Sequence, residues 1–234
     1  MLIWNLIKGL MAGRSTLARA LGEIELSRLF GDSTILRRYA STVLVAGGGR
    51  RSRGSESLLL KAIEGSAKLI HVDIDPAKSP DIEADLTVTW PFKQGGVDMI
   101  ISTWVIEHLA NPSKFFEEAF RLLSTGGVLV CGVPFIYRMH GSPADYWRFT
   151  DSALFYLARS AGFRIVDVRS VGGTPCMACL SLLWPLFKVR LIGVIFVMLA
   201  CGADSAIRFI CRLTGKGYEL IHSYPIHFIL YAQK

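Results

Sequence analysis

The chain has 234 residues, 51% of them hydrophobic, with 26 basic against 19 acidic side chains, a net charge of +7 and a mean hydropathy of +0.39. That length fits one domain, 1–234, with one sizeable core. Five cysteines, Cys131, Cys176, Cys179, Cys201 and Cys211, form an odd set lying mostly in apolar stretches, which points to buried thiols in a reducing, cytoplasmic setting rather than to a disulfide framework.

The opening run MLIWNLIKGLMAGRSTLARALGE has no basic region ahead of its apolar residues, so no secretory signal is expected. Leu2, Ile3, Leu6, Ile7, Leu10 and Met11 recur at helical spacing. Residues 1–40 therefore read as a helical extension, packed on the fold or lying in an interface, although an organelle transit peptide has the same look. Residues 41–173 then alternate apolar runs with helical patterns. Val43–Ala46 and Leu69–Ile74 read as buried strands separated by a helix over roughly 55–64, and Val97–Ser102 as a third strand. Pro112 stands at the first position of an amphipathic helix running through Leu123, which Gly126 and Gly127 stop before a strand over Val128–Val133. Asp151 opens a helix to about Ala161, Gly162 ends it, and Phe163–Val168 resumes as strand. Such alternation implies an α/β fold with a parallel sheet covered on both faces. Residues 174–215 interrupt it with apolar helical material, and 216–234 carry a last strand.

In an open parallel sheet, ligands sit beyond the carboxyl ends of the strands near the switch point, so the turn in VLVAGGGRRSRGSE is where a ligand belongs. A dinucleotide fingerprint fails, because after Gly47 and Gly49 the third glycine place holds Ser52. A P-loop fails too, since Ser55 stands where its lysine should be. At the end of the second strand, LIHVDIDP carries Asp73 and Asp75 beside the glycine turn, where a carboxylate can accept both hydroxyls of a ribose. Asp85 in DIEADL could accept from an adenine amino group. Each aspartate could equally cap a turn; with the glycine turn they describe a nucleoside pocket without an obligatory phosphate clamp.

In this order, VLVAGGG, VDIDP, EADL before WPF, VDMIISTWVIEHLANP, RLLSTGGVLVCGVPF and HGSPADYWRFT make residues 43–170 resemble class I S-adenosylmethionine-dependent methyltransferases, of the bacterial group found among cell-surface polysaccharide genes. The resemblance implies a Rossmann-like fold, a mostly parallel seven-stranded sheet with an antiparallel last strand, and S-adenosyl-L-methionine as cofactor. By it, Gly47, Gly48 and Gly49 let the backbone approach the methionine part, Asp73 holds the ribose and Asp85 the adenine edge. Ile74, Leu86 and Thr103 complete the cofactor-binding set, and no metal is expected. The chain departs from the family at Val45, where an acidic residue is usual, and at Arg51, where a third glycine is usual. Arg50, Arg51 and Arg53 read as a solvated basic loop.

Methyl transfer from a sulfonium is an in-line displacement in which alignment can supply up to about 7–11 kcal/mol, and a hydroxyl acceptor also needs a base. The candidates past strands four and five are Glu107, His108, His140, Asp145, Tyr146, Trp147 and Arg148. Glu107 and His108 read mainly as a loop tie. His140 is the candidate base, and Arg148 either faces an anionic acceptor or pairs with Asp145 or Asp151. The resemblance implies methyl transfer to a small-molecule, sugar or lipid-linked acceptor. A non-catalytic scaffold on the same fold is the alternative, favoured by Val45 and Arg51. A nucleic-acid methyltransferase fits less well, because no N-P-P-Y-type motif follows the fourth strand and the basic residues are scattered.

In CMACLSLLWPLFKVRLIGVIFVMLACGA, residues 176–203, Lys188 and Arg190 divide the apolar stretch and Pro185 would kink a helix near the break. A spanning helix needs ~20 uninterrupted apolar residues, so a single span is not expected. The stretch packs on the sheet or rests in the interface of an anionic membrane on its cytoplasmic face, its long basic side chains snorkelling to headgroups.

Overall fold

The computed structural model describes residues 21, 22, 24–26, 41–49, 60, 67–141, 144–186, 190–217 and 223–234. Residues 21, 22, 24–26 and Leu60 are helical. The rest of the expected N-terminal extension, the rest of the expected helix over 55–64, and Arg50, Arg51 and Arg53 lie outside the described residues.

Seven strands make one sheet: β1 Thr42–Ala46, β2 Lys68–Asp73, β3 Ile82–Glu83, β4 Val97–Thr103, β5 Leu123–Pro134, β6 Ile165–Val171 and β7 His227–Gln233. Their order is β3-β2-β1-β4-β5-β7-β6. Pairing is parallel from β3 through β5, and β7 runs antiparallel to both β5 and β6. The central strands are apolar without alternation, as burial on both faces requires: Val43 to Ala46 of β1 and Met99 to Ile101 of β4 are all but inaccessible. The chain leaves β1 toward β2 and β3 on one side, then returns to build β4 and β5 on the other. The switch point therefore falls between β1 and β4.

Helix α1, Pro112–Leu122, begins as its sequence dictates. Asn111 Oδ1 accepts from the Lys114 N–H at 3.3 Å, Pro112 needs no donor partner, and Phe115, Phe116, Ala119 and Leu122 form the buried stripe. Helix α2, Asp151–Ala161, is capped by Thr150, whose side chain accepts from the Ala153 N–H; the cap stands one residue before the expected Asp151. Gly162 ends it at φ +110°. The following strand starts at Ile165 because Phe163 turns into the core, its ring edge-on to Phe120 at 5.3 Å. Strand β5 starts at Leu123, five residues earlier than expected, since Leu123 already pairs with Val97.

One buried charge braces the lower edge of the core. Glu118 of α1 accepts from the Trp90 amide at 3.0 Å and from the Arg121 guanidinium at 2.7 Å, with Lys114 Nζ at 3.4 Å. Burial opposes its ionisation; Arg121, the Trp90 amide and Lys114 together outweigh that cost and hold the carboxyl below the usual glutamate range.

Two helices fill the insertion, α3 Pro175–Leu183 and α4 Arg190–Thr214, with a single turn over Trp184–Leu186 before the expected break. The second apolar run is longer than expected. Residues Leu191–Thr214 form 24 helical residues of hydropathy 1.9, long and apolar enough to cross a membrane by length and composition. The helix simply continues beyond residue 203. Val194 and Val197 pack with Met177, Leu180 and Ile226, and Asp204 is buried on the same stripe. Leu191, Phe196, Met198, Leu199, Phe209, Ile210 and Leu213 are exposed.

Candidate functional site

The carboxyl ends of β1, β2 and β4 meet at the switch point. The Gly47 N–H donates to the Val72 carbonyl at 2.7 Å, which draws the turn after β1 onto the end of β2. Gly47 sits at φ +78°, and a Cβ there would lie 2.4 Å from Val105 Cγ2. At Gly49 a Cβ would lie 2.2 Å from the Lys78 carbonyl oxygen, an atom of backbone that cannot swing aside. The Gly48 carbonyl is 3.2 Å from His71 Nδ1. The glycines are thus fixed by close approach of two neighbouring chain segments, Val105 after β4 and Lys78 after β2.

Asp73 ends β2 with 3% exposure. Its Oδ1 accepts from the Asp75 N–H at 2.9 Å and its Oδ2 from Lys78 Nζ at 3.0 Å. Lys78 is the partner that sequence reasoning missed. Asp75 caps the single turn Pro76–Lys78 that carries it, accepting from the Ala77 N–H at 2.9 Å. Ile74 is 60% exposed beside Asp73. Asp85 spends Oδ1 on Thr87, accepting from its N–H at 2.8 Å and its hydroxyl at 2.7 Å. The Leu86 side chain is in the core and its carbonyl accepts from Trp90 Nε1. Thr103 closes β4, its Cγ2 turned toward Gly132.

These residues fit a nucleoside cofactor in part. A glycine turn without side chains adjoins a buried carboxylate at a strand end, as ribose binding requires, but that carboxylate is occupied by the half-exposed Lys78 ammonium. Val45 does not supply the acidic group usual there. It is 2% exposed, within β1.

On the other side of Val105, a single turn over Ile106–His108 meets the loop that follows β5. The Glu107 carbonyl accepts from the Tyr146 and Trp147 N–H groups at 2.9 and 3.2 Å, Trp147 Nε1 donates to the Leu109 carbonyl at 2.8 Å, and His108 Nδ1 bonds the Ala144 carbonyl. The expected tie is therefore present, and it carries His140 to Glu107. Nε2 of His140 and Nε2 of His108 each stand 3.7 Å from Glu107 Oε1. That is an ion-pair separation and too long for a hydrogen bond. Both Glu107 carboxylate oxygens are buried with no hydrogen-bond partner among the described residues.

Glu107 beside its Nε2, together with Asp145 3.4 Å from its Nδ1, holds the His140 imidazolium above the ordinary histidine range against the opposing effect of burial. Arg148 clamps Asp145 with two bonds of 2.6 and 2.7 Å, the first cause holding that carboxyl well below the usual aspartate range. Of the two expected acceptor-side residues, His140 is in the cluster and Arg148 stands behind it, committed to Asp145. Convergence of Glu107, His108 and His140 escaped the sequence reading because 32 residues separate the two histidines. The adjacent Glu-His pair after β4 was the available signal.

Residues 47–131 match the family of methyltransferase domains. A 37.1 kDa protein of transposon TN4556 from Streptomyces fradiae is 32% identical over 88 residues, covering 32% of this chain and 26% of its own, so the chain spans about a quarter of that curated relative. A SAM-dependent methyltransferase from Archaeoglobus fulgidus superposes with TM-score 0.53 at 16% identity, covering 91% of this chain and 94% of its own. The [4+2]-cyclase SpnF superposes with TM-score 0.56 at 15% identity, covering 95% and 83%. At such identities the likeness shows the fold. Residues 47–131 thus resemble a methyltransferase domain, and the sheet has the Rossmann-like fold of class I, S-adenosylmethionine-dependent methyltransferases.

Proposed function

We propose that the protein transfers a methyl group from S-adenosylmethionine to a small-molecule acceptor, a sugar or a lipid-linked one, on the cytoplasmic face of an anionic membrane. The observation that carries the reading is the buried Asp73 carboxylate beside the Gly47–Gly49 turn at the switch point of the sheet. S-adenosylmethionine supplies an electrophilic methyl group on a sulfonium. Gly47 and Gly49 leave the backbone bare where the methionine part would lie. Asp73 accepts the ribose hydroxyls once the Lys78 ammonium moves off it.

A hydroxyl acceptor must lose a proton as it is methylated. Glu107, His108 and His140 are the groups on the far side of Val105 suited to that task. Arg148 is a positioning residue, acting through Asp145, which accepts from the His140 N–H at 2.9 Å. The apolar face of α4 supports the lipid-linked reading. Leu199, Phe209, Ile210 and Leu213 are exposed, and Arg212 and Lys216 are exposed at the same end, so the apolar surface adjoins positive charge as an anionic interface demands. Asp204, which lipid would disfavour, is on the buried stripe.

A second reading, a scaffold that kept the fold and lost the chemistry, is favoured by Val45 and by the Lys78–Asp73 pair. That the [4+2]-cyclase shares the fold supports the general point that fold does not assign a reaction. Calorimetric titration of the folded protein with S-adenosylmethionine and S-adenosylhomocysteine separates the two. Saturable binding of both supports the enzyme; absence of both supports the scaffold.

A further inference from the structure

We infer that Glu107, His108 and His140 form a binding site for a divalent cation of the zinc type. One ligand atom from each residue lies within 4.8 Å of the others. Glu107 Oε1 is 3.7 Å from the Nε2 of each histidine. Tetrahedral zinc with bonds of ~2.0–2.1 Å sets its ligands ~3.3–3.4 Å apart, so the two Glu107 edges need close by only a few tenths of an ångström, and the histidine–histidine edge starts from within 4.8 Å.

Three further features select a cation over a simple polar cluster. First, Glu107 is fully buried and neither carboxylate oxygen has a hydrogen-bond donor among the described residues. A buried charge must be paired or ligate a metal. The groups nearest it are imidazoles beyond hydrogen-bond reach, and Arg148 is already spent on Asp145. Second, each imidazole has its other nitrogen engaged on the outer side. His108 Nδ1 bonds the Ala144 carbonyl, and His140 Nδ1 faces Asp145 Oδ2 at 3.4 Å and the Arg138 carbonyl at 3.3 Å. Such outer partners fix the tautomer that leaves Nε2 as a lone pair, and they raise its basicity as a ligand. Both Nε2 atoms stand on the Glu107 side. Third, the ligand set is two imidazoles and one carboxylate, which suits zinc and its neighbours in the first transition row and is poorly matched to magnesium.

Three protein ligands leave a coordination position open, the pattern of catalytic zinc sites. His140, with about a quarter of its side chain exposed, marks the open side. A hydroxyl oxygen of the acceptor suits that position, and a cation there, rather than a free imidazole, would ease the loss of its proton. This role rests on the methyl-transfer reading; the cation site itself does not.

The test uses the full chain, stripped with a chelator and titrated by calorimetry with zinc chloride and, separately, magnesium chloride. One zinc per chain is expected, with magnesium at least a hundredfold weaker. Loss of an outer-shell partner costs 10–100-fold in affinity, so Glu107→Gln and His140→Ala, each direct, should weaken zinc at least tenfold. His140 is partly exposed, so its variant keeps the fold, checked by far-UV circular dichroism. The double variant Cys176→Ser, Cys179→Ser should bind zinc as wild type does, and the cobalt-loaded protein should show visible d–d bands without thiolate charge transfer. Absence of stoichiometric zinc, binding unchanged in both His140→Ala and Glu107→Gln, or binding lost in the cysteine variant would overturn the site. Zinc bound by a protein that fails to bind S-adenosylhomocysteine supports the site and overturns only its role toward a methyl acceptor.

Discussion

Replacing Gly47 by alanine strikes the contact that joins the turn after β1 to the turn after β4. Two costs add. Alanine at φ +78° pays about 1–2 kcal/mol for left-handed backbone. Its Cβ would stand 2.4 and 2.5 Å from the two Val105 methyls, an overlap worth about 1–3 kcal/mol in a packed interior. The single variant should lose about 2–5 kcal/mol. Val105→Ala alone removes two half-buried methyls and should lose about 1–2 kcal/mol. In the double variant the overlap vanishes while the backbone cost stays. The loss should therefore fall short of the sum by about 1–3 kcal/mol, a coupling that urea unfolding at constant slope resolves. Additivity within about 0.5 kcal/mol would refute the contact and with it the link between the two turns.

Three other outcomes follow from the same geometry. Glu118 has a lowered folded-state pKa, so its contribution is present above the unfolded glutamate value of about 4.3 and is lost as pH falls through the folded value. Wild type should lose stability as pH falls below the unfolded glutamate value of about 4.3, whereas Glu118→Gln, about 1.5–3 kcal/mol less stable at neutral pH, should show a flatter acid limb in urea midpoints. Equal acid slopes would remove Glu118 as the cause. His140→Ala and Arg148→Ala should each lower turnover more than affinity for S-adenosylhomocysteine, which parallel turnover and binding assays read; normal turnover in His140→Ala would take it out of the site. On sucrose gradients at low salt the protein should float with anionic liposomes, and Leu199→Asn with Phe209→Asn should leave it at the bottom. Wild-type protein that fails to float would leave the exposed face of α4 without a lipid role.

Much of the sheet was legible because burial on both faces writes itself as unbroken apolar runs. Val43–Ala46 and Met99–Ile101 are such runs, and Asn111-Pro112 announces α1 by its cap chemistry. Boundaries failed where tertiary contacts overrode the local pattern. Phe163 reads as strand and instead packs against Phe120 ahead of β6, and Thr150 takes the cap that Asp151 seemed suited for. The helical extent of the insertion, 174–215, was legible, but its second run was read as too short for a span; Asp204, turned inward, lets the helix run unbroken to Thr214. At the site, Asp73 was legible from its place at a strand end. Its pairing with Lys78 was not, because a single turn capped by Asp75 brings the ammonium back over the carboxylate. His140 was singled out for its loop. Its meeting with Glu107 and His108 depends on two carbonyls, of Glu107 and Ala144, that no pattern of side chains announces.

The functional reading depends on a nucleoside cofactor held by Asp73 beside the glycine turn. Calorimetric titration of wild type and Asp73→Ala with S-adenosylhomocysteine tests it most directly. One site per chain is expected in wild type, with binding weaker by about 1–3 kcal/mol in Asp73→Ala through loss of hydrogen bonds to a charged acceptor. Folded wild-type protein that takes up no S-adenosylhomocysteine, or Asp73→Ala that binds it as tightly as wild type, would refute a cofactor held by Asp73.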